Sequence, residues 1–159
     1  MTKSKFTLIP KDKSLVDLVE NTNKKVVALW AINCVERVLP YFEEIYPEDC
    51  RPRQAIRALQ AWIATGDFKM SVIRQAALAS HAAAREVGLD NAARSAARAA
   101  GQAVATAHVT EHAIAAANYA LQAIHRAADD HEADASVEKE RVWQYQHLLG
   151  LIQASHKSN

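Results

Sequence analysis

Residues 91–130 read NAARSAARAAGQAVATAHVTEHAIAAANYALQAIHRAADD, and the fold turns on whether this stretch is one helix or two. Alanine is the strongest helix former, and no proline interrupts the run from Asn91 to Asp129. A single rod over that span would be roughly 55 Å long at 1.5 Å per residue. A compact chain of this size has a diameter near 40 Å, from a radius of gyration of about 15 Å. One rod would protrude, so the spacing predicts two antiparallel helices broken near 106–110, with Thr110 capping the second. The second half then places Ile114, Ala117, Leu121 and Ile124 on one stripe, at steps of three, four and three.

Working outward, the other segments also read as helices. Ser14 reads as the N-cap of a short helix to about Glu20, and Asn21 and Thr22 restart the chain. A helix over about 23–46 carries Val27, Trp30 or Ala31, Cys34 and Val38 on one stripe, and Pro40 inside it predicts a kink or a division. YPEDCRP, residues 46–52, reads as a loop with Pro52 as the first helical residue beyond it. Leu59, Trp62 and Ile63 face inward on that helix, and Gly66 stops it. The next helix covers about 69–87. Gly88 closes it, Asp90 caps its successor, and GLD marks a tight connection. DDHEADAS, residues 129–136, reads as a polar loop, followed by a last helix over about 136–153 that buries Val142, Tyr145, Leu149 and Ile152.

These elements predict an all-α fold, a compact single-domain bundle of about six or seven helices with alanine-rich central helices. Residues 1–13 form an extended arm anchored by Phe6, Leu8 and Ile9 and ended by Pro10. Residues 14–154 form the helical domain, and 155–159 a frayed tail. The 159 residues suffice for one core, and 32 of them are alanine, so helices between 76 and 128 can approach closely. Trp30, Trp62 and Trp143 on flanking helices supply the bulk that methyl groups lack. Four glycines and four prolines are too few turn residues for a many-stranded β protein.

The charge balance, 19 basic against 18 acidic residues, gives no drive toward nucleic acid or an anionic membrane. No apolar run approaches the ~20 residues of a membrane span, and the N-terminal stretch lacks the apolar core of a secretory signal. Cys34 and Cys50 have no metal-type spacing and read as reduced thiols. The expectation is a soluble, cytoplasmic protein of bacterial type.

Several segments could carry chemistry. HVTEH, residues 108–112, has the order of the inverted zinc-peptidase motif, with His108 and His112 as ligands and Glu111 as general base. On a continuous helix both imidazoles would share a face. A third ligand would have to be Glu132, Glu138 or Glu140. A helix boundary inside the motif instead makes His108 a helix end and Glu111 and His112 a first turn. His81 with Arg85, and Arg94 with Arg98, are i, i+4 pairs that read as polar helix faces. Arg51, Arg53 and Arg57 are the densest basic cluster, but Glu48 and Asp49 offset them, so no nucleic-acid patch is read. No phosphate-cradling glycine loop and no nucleophile–base arrangement occurs. No cofactor, no metal and no enzymatic activity are expected.

Four phrases then carry a resemblance: NCVERVLPYFEEIYPEDCRPRQAIRALQAWI (33–63), AAARE (82–86), AARSAARAAGQAVATAHVTEHAIAAANYAL (92–121) and ERVWQYQHL (140–148). Together they resemble the immunity-protein-five-like family of small helical bacterial proteins, over most of residues 25–150. The resemblance implies an all-α fold and a role as antidote to a cognate toxin, exerted by protein binding without catalysis. The family offers no catalytic residues to carry over. The contact residues expected on this chain are Glu43, Glu44, Tyr46, Glu48 and Asp49, where acidic groups and an aromatic ring share one loop. Two other readings are a metal-dependent hydrolase built on HVTEH and a helical scaffold that self-associates through alanine faces.

Overall fold

The computed structural model describes residues 2–8 and 12–158, which form an N-terminal arm and eight helices. In chain order these are α1 (Lys13–Glu20), α2 (Lys24–Glu36), α3 (Pro40–Glu43), α4 (Arg51–Thr65), α5 (Met70–Glu86), α6 (Ala92–Ala105), α7 (His112–Ala127) and α8 (Ala133–Lys157). No strand occurs among the described residues. Ile9 and Pro10, expected to anchor and end the arm, lie outside them.

The chain turns where the length argument placed the break. α6 ends at Ala105, residues 106–111 form turns, and α7 begins at His112. The two helices then pack along their length, and α5 lies on the other side of α6. Alanine makes this layering possible. Ala93, Ala96, Ala97, Ala100 and Ala103 of α6 are buried, as are Ala113, Ala116 and Ala120 of α7. Close approach of α5 and α6 is fixed at two points. Ser80 Oγ donates to the Ala97 carbonyl at 2.7 Å, and Gly101 lies so near the His81 ring that a Cβ there would meet it at 2.8 Å.

The bulk comes from the flanks. Val27, Trp30, Ala31, Cys34 and Val38 are fully buried, as the helical stripe predicts, together with Leu39, Phe42, Ile56 and Leu59. Each large side chain of this kind contributes about 1.5–3 kcal/mol on burial. The Trp30 indole N–H donates to the Gln144 carbonyl at 2.8 Å, so its one polar atom is satisfied inside the core. Pro40 divides the predicted 23–46 helix: α2 ends at Glu36 and Pro40 opens α3. Gly66 ends α4 in the left-handed region at φ 71°, where a glycine carries no Cβ penalty.

The caps differ from expectation by small steps. Asp12, not Ser14, caps α1: its Oδ1 accepts from the Ser14 N–H at 3.0 Å. Asn91, not Asp90, caps α6, accepting from the Arg94 N–H at 3.0 Å, while Asp90 pairs with the Arg94 side chain. Thr110 does not cap α7: Glu111 holds the capping position and no side chain caps there. Pro52 is the second residue of α4, one place later than expected.

The largest correction concerns α8. It begins at Ala133, three residues before the predicted start at 136, and runs to Lys157, so Ser155–Lys157 of the expected tail are helical. Its buried face is Ala133, Val137, Glu140, Gln144 and Leu148. Val142, expected inside, is 53% exposed, and Tyr145, Leu149 and Ile152 are half-buried. The reason is that two polar side chains face inward because partners wait for them. Glu140 takes the Arg37 guanidinium in a two-pronged ion pair, and Gln144 Nε2 donates to the Ala117 carbonyl at 3.0 Å. The Arg37 guanidinium also sits 3.9 Å from the centre of the Trp143 ring, so one cation clamps α2 to α8 twice.

Candidate functional site

The turn between α6 and α7 separates the residues of HVTEH. His108 is exposed in the turn, its ring stacked on Phe68 with centroids 6.2 Å apart. Its carbonyl accepts from Lys24 Nζ at 3.0 Å. His112 starts α7 with Nδ1 2.9 Å from Gln102 Oε1, and Glu111 is exposed. Burial, and then the neighbouring His108, hold the His112 imidazole below its ordinary pKa. The three third-ligand candidates are engaged elsewhere: Glu140 with Arg37, Glu138 with Arg141 at 2.9 Å, and Glu132 with His131 at 3.9 Å. Among the described residues no three His, Cys, Asp or Glu side chains are grouped to hold a metal ion. His108, Glu111 and His112 therefore stand as a helix end and a helix start.

The acidic loop between α3 and α4 is organised by the basic cluster that follows it. Arg53 donates to both oxygens of Glu43, at 2.7 and 3.1 Å, and also pairs with Glu36. Arg51 grips Asp49 with Nε at 2.9 Å and Nη2 at 2.7 Å, and reaches across to Glu86 on α5. These ion pairs raise the guanidinium pKa values of Arg51 and Arg53 and hold the Asp49 carboxyl below the usual carboxylate range. Glu43 and Asp49 are thus neutralised within the fold. Tyr46 is half-buried, its ring 5.1 Å from that of Phe42. Glu44 and Glu48 are exposed and in no ion pair among the described residues. Between them Ile45, which sequence reasoning passed over, is 58% exposed. An apolar residue beside a proline loop gave no signal until its exposure could be read.

A second feature was also illegible in the sequence. A cavity of about 550 Å³ lies between the arm and the outer face of α6 and α7. Phe6, Thr7 and Leu8 line it from the arm, and Gln102, Asn118, Tyr119 and Gln122 from the helices. The arm is tied down beside it. Lys3 Nζ donates to the carbonyls of Arg126 and Ala128 at the end of α7, Ser4 Oγ donates to Asp134, and Phe6 packs against the His125 ring at 5.5 Å. Glutamines scattered on an alanine-rich helix read as solvated surface, because their convergence depends on the α6–α7 turn.

No helix among the described residues is long and apolar enough to cross a membrane. A family model described as "Imm-5 like putative immunity protein" matches residues 17–151. No curated protein and no solved structure matches the chain.

Proposed function

Since the chain belongs to the Imm-5 like immunity-protein family, we propose that it neutralises a cognate bacterial toxin by non-covalent binding, with the α3–α4 loop as its contact surface. The observation that carries the reading is the division of labour in this loop. Glu43 and Asp49 are spent on Arg53 and Arg51, while Glu44, Ile45 and Glu48 are free and exposed. A loop pinned at both ends loses little freedom on docking, which is the main cost a binding surface must overcome. Ile45 then serves as an apolar anchor, and the flanking carboxylates suit a basic partner surface. Tyr46 supports the loop from inside through Phe42. No bond is made or broken in this reading, so it calls for no catalytic residue and no cofactor.

The test is co-expression with the product of the neighbouring toxin gene, followed by co-purification and titration calorimetry. Ile45→Asp, and Glu44→Lys with Glu48→Lys, should each weaken the complex at least about tenfold, the loss of about 1.4 kcal/mol. Both should leave the melting temperature nearly unchanged, because these side chains are exposed. Absence of a complex, or unchanged affinity in both variants, would sink the proposal. The self-association reading loses its basis in the fold, since the alanine faces of α6 and α7 form the interior.

A further inference from the structure

The cavity under the arm has a polarity that can be derived from its hydrogen bonds. Ser95 on α6 is fully buried, and its Oγ accepts from Arg126 Nη1 at 2.8 Å. A guanidinium only donates, so the single hydroxyl proton of Ser95 goes to the nearer of its two acceptors, Gln122 Oε1 at 2.9 Å, with the Asn91 carbonyl at 3.4 Å. The Gln122 carbonyl is thereby occupied, and its NH2 remains as the unpartnered edge of a side chain lining the cavity. Gln102 repeats the arrangement across the groove. Its Oε1 is 2.9 Å from His112 Nδ1, and since an amide oxygen only accepts, the imidazole donates from that nitrogen. Two glutamines whose NH2 groups are left without a partner thus line one pocket, together with Asn118 and Tyr119.

The surroundings add positive charge. Arg98 lies one helical turn before Gln102 on α6, and Arg126 one turn after Gln122 on α7. Arg94 and Arg126 share a single carboxylate, Asp90, at 2.7 and 3.8 Å, and Arg98 is in no ion pair among the described residues. The remaining walls, Phe6, Leu8 and Ala115, are apolar. From donor edges, positive field and apolar roof together, we infer that this cavity is a binding site for a carboxylate carried on an apolar or aromatic body. A volume of about 550 Å³ suits a small molecule or the last residue or two of a peptide chain. The carboxylate would take N–H bonds from Gln102 and Gln122, and the apolar body would lie under Phe6. This site is remote in sequence from the toxin-facing loop and does not depend on that proposal.

The experiment is a titration of the full chain followed by 15N–1H correlation spectra, with N-acetylphenylalanine as probe and N-acetylphenylalanine amide as its uncharged control. The side-chain NH2 resonances of Gln102 and Gln122 should move and saturate with the acid. The amide should bind at least about tenfold more weakly, the expected loss when a charge-assisted hydrogen bond becomes a neutral one. Gln122→Glu, which keeps an oxygen for the Ser95 hydroxyl and removes the NH2 donor, should weaken the acid by at least a similar factor. A tripeptide ending in phenylalanine separates the two sources: tighter binding than the acetylated residue assigns the site to a chain terminus, weaker binding to a free carboxylate. Unmoved glutamine resonances at millimolar acid, or equal binding of acid and amide, would overturn the inference whatever the variant does.

Discussion

At the scale of single residues, Gly101 is the position where packing and propensity oppose each other. A methyl group there gains about 0.8–1.0 kcal/mol of helix propensity. It also meets the His81 ring at 2.8 Å, an overlap of the kind that costs about 1–3 kcal/mol in a packed interior. The clash should win, so Gly101→Ala lowers stability by about 1 kcal/mol in the native background. With His81→Ala already in place the same change should raise stability, and a double-mutant cycle by urea denaturation measures the reversal. His81 was legible in the sequence only as one of an i, i+4 pair with Arg85. Its contact with α6 depends on the absence of a side chain at Gly101, twenty residues on, which neither face nor charge pattern signals. HVTEH shows the same limit from the other side. Its three residues carry the right chemistry in the right order, and only the turn at 106–111 decides that His108 stacks on Phe68 while His112 turns to Gln102.

Between residues and the whole lie the helices and their ends. Asn91 accepts the Arg94 N–H and satisfies one of the donors left open at the start of α6. Asn91→Ala should cost about 1 kcal/mol, the usual value of a polar N-cap. Asp90→Ala should cost only a few tenths, because that carboxylate is exposed and its pair with Arg94 is screened by water. Thermal melts of the two variants check which residue is the cap. The sequence points to Asp90 as the cap; Asp and Asn both serve, and the choice of Asn91 rests on a backbone angle no residue type encodes. Helix existence was legible for most elements: α2, α4 and α7 follow their apolar stripes, and α5 and α6 their alanine content and Gly punctuation. The face of α8 was not. An apolar period assumes that polar side chains point outward, and Glu140 and Gln144 point inward to Arg37 and the Ala117 carbonyl.

Across the whole molecule, three imidazoles set the response to pH. His81, His112 and His147 each lie below the ordinary value of 6.5, chiefly through burial, with nearby cations adding to it: Arg98 and Arg85 at His81, His108 at His112, Arg37 at His147. The unfolded chain therefore binds more protons than the folded one in this range. Their contribution is fully present above pH 6.5 and is lost as the pH falls through the depressed folded values. Asp49 and Glu86, held down by Arg51, have the same sign but act lower, in the carboxylate range. Urea midpoints should fall first in mildly acid buffer and again at stronger acidity, and His81→Asn should flatten the first step alone. At this scale the sequence was most informative, because chain length against globule diameter forbids a single rod over 91–129. The arm-covered cavity was hidden because it needs α6, α7 and the N-terminus together. The paired clamps of Arg51 and Arg53 have a last consequence. They fix the frame of the α3–α4 loop through Glu36, Glu43, Asp49 and Glu86 and leave its tip out of the fold's accounts. On the binding role proposed for this loop, residues 44, 45 and 48 can then vary as an interchangeable key blank on a constant bow, so that recognition of a new partner would require no new fold.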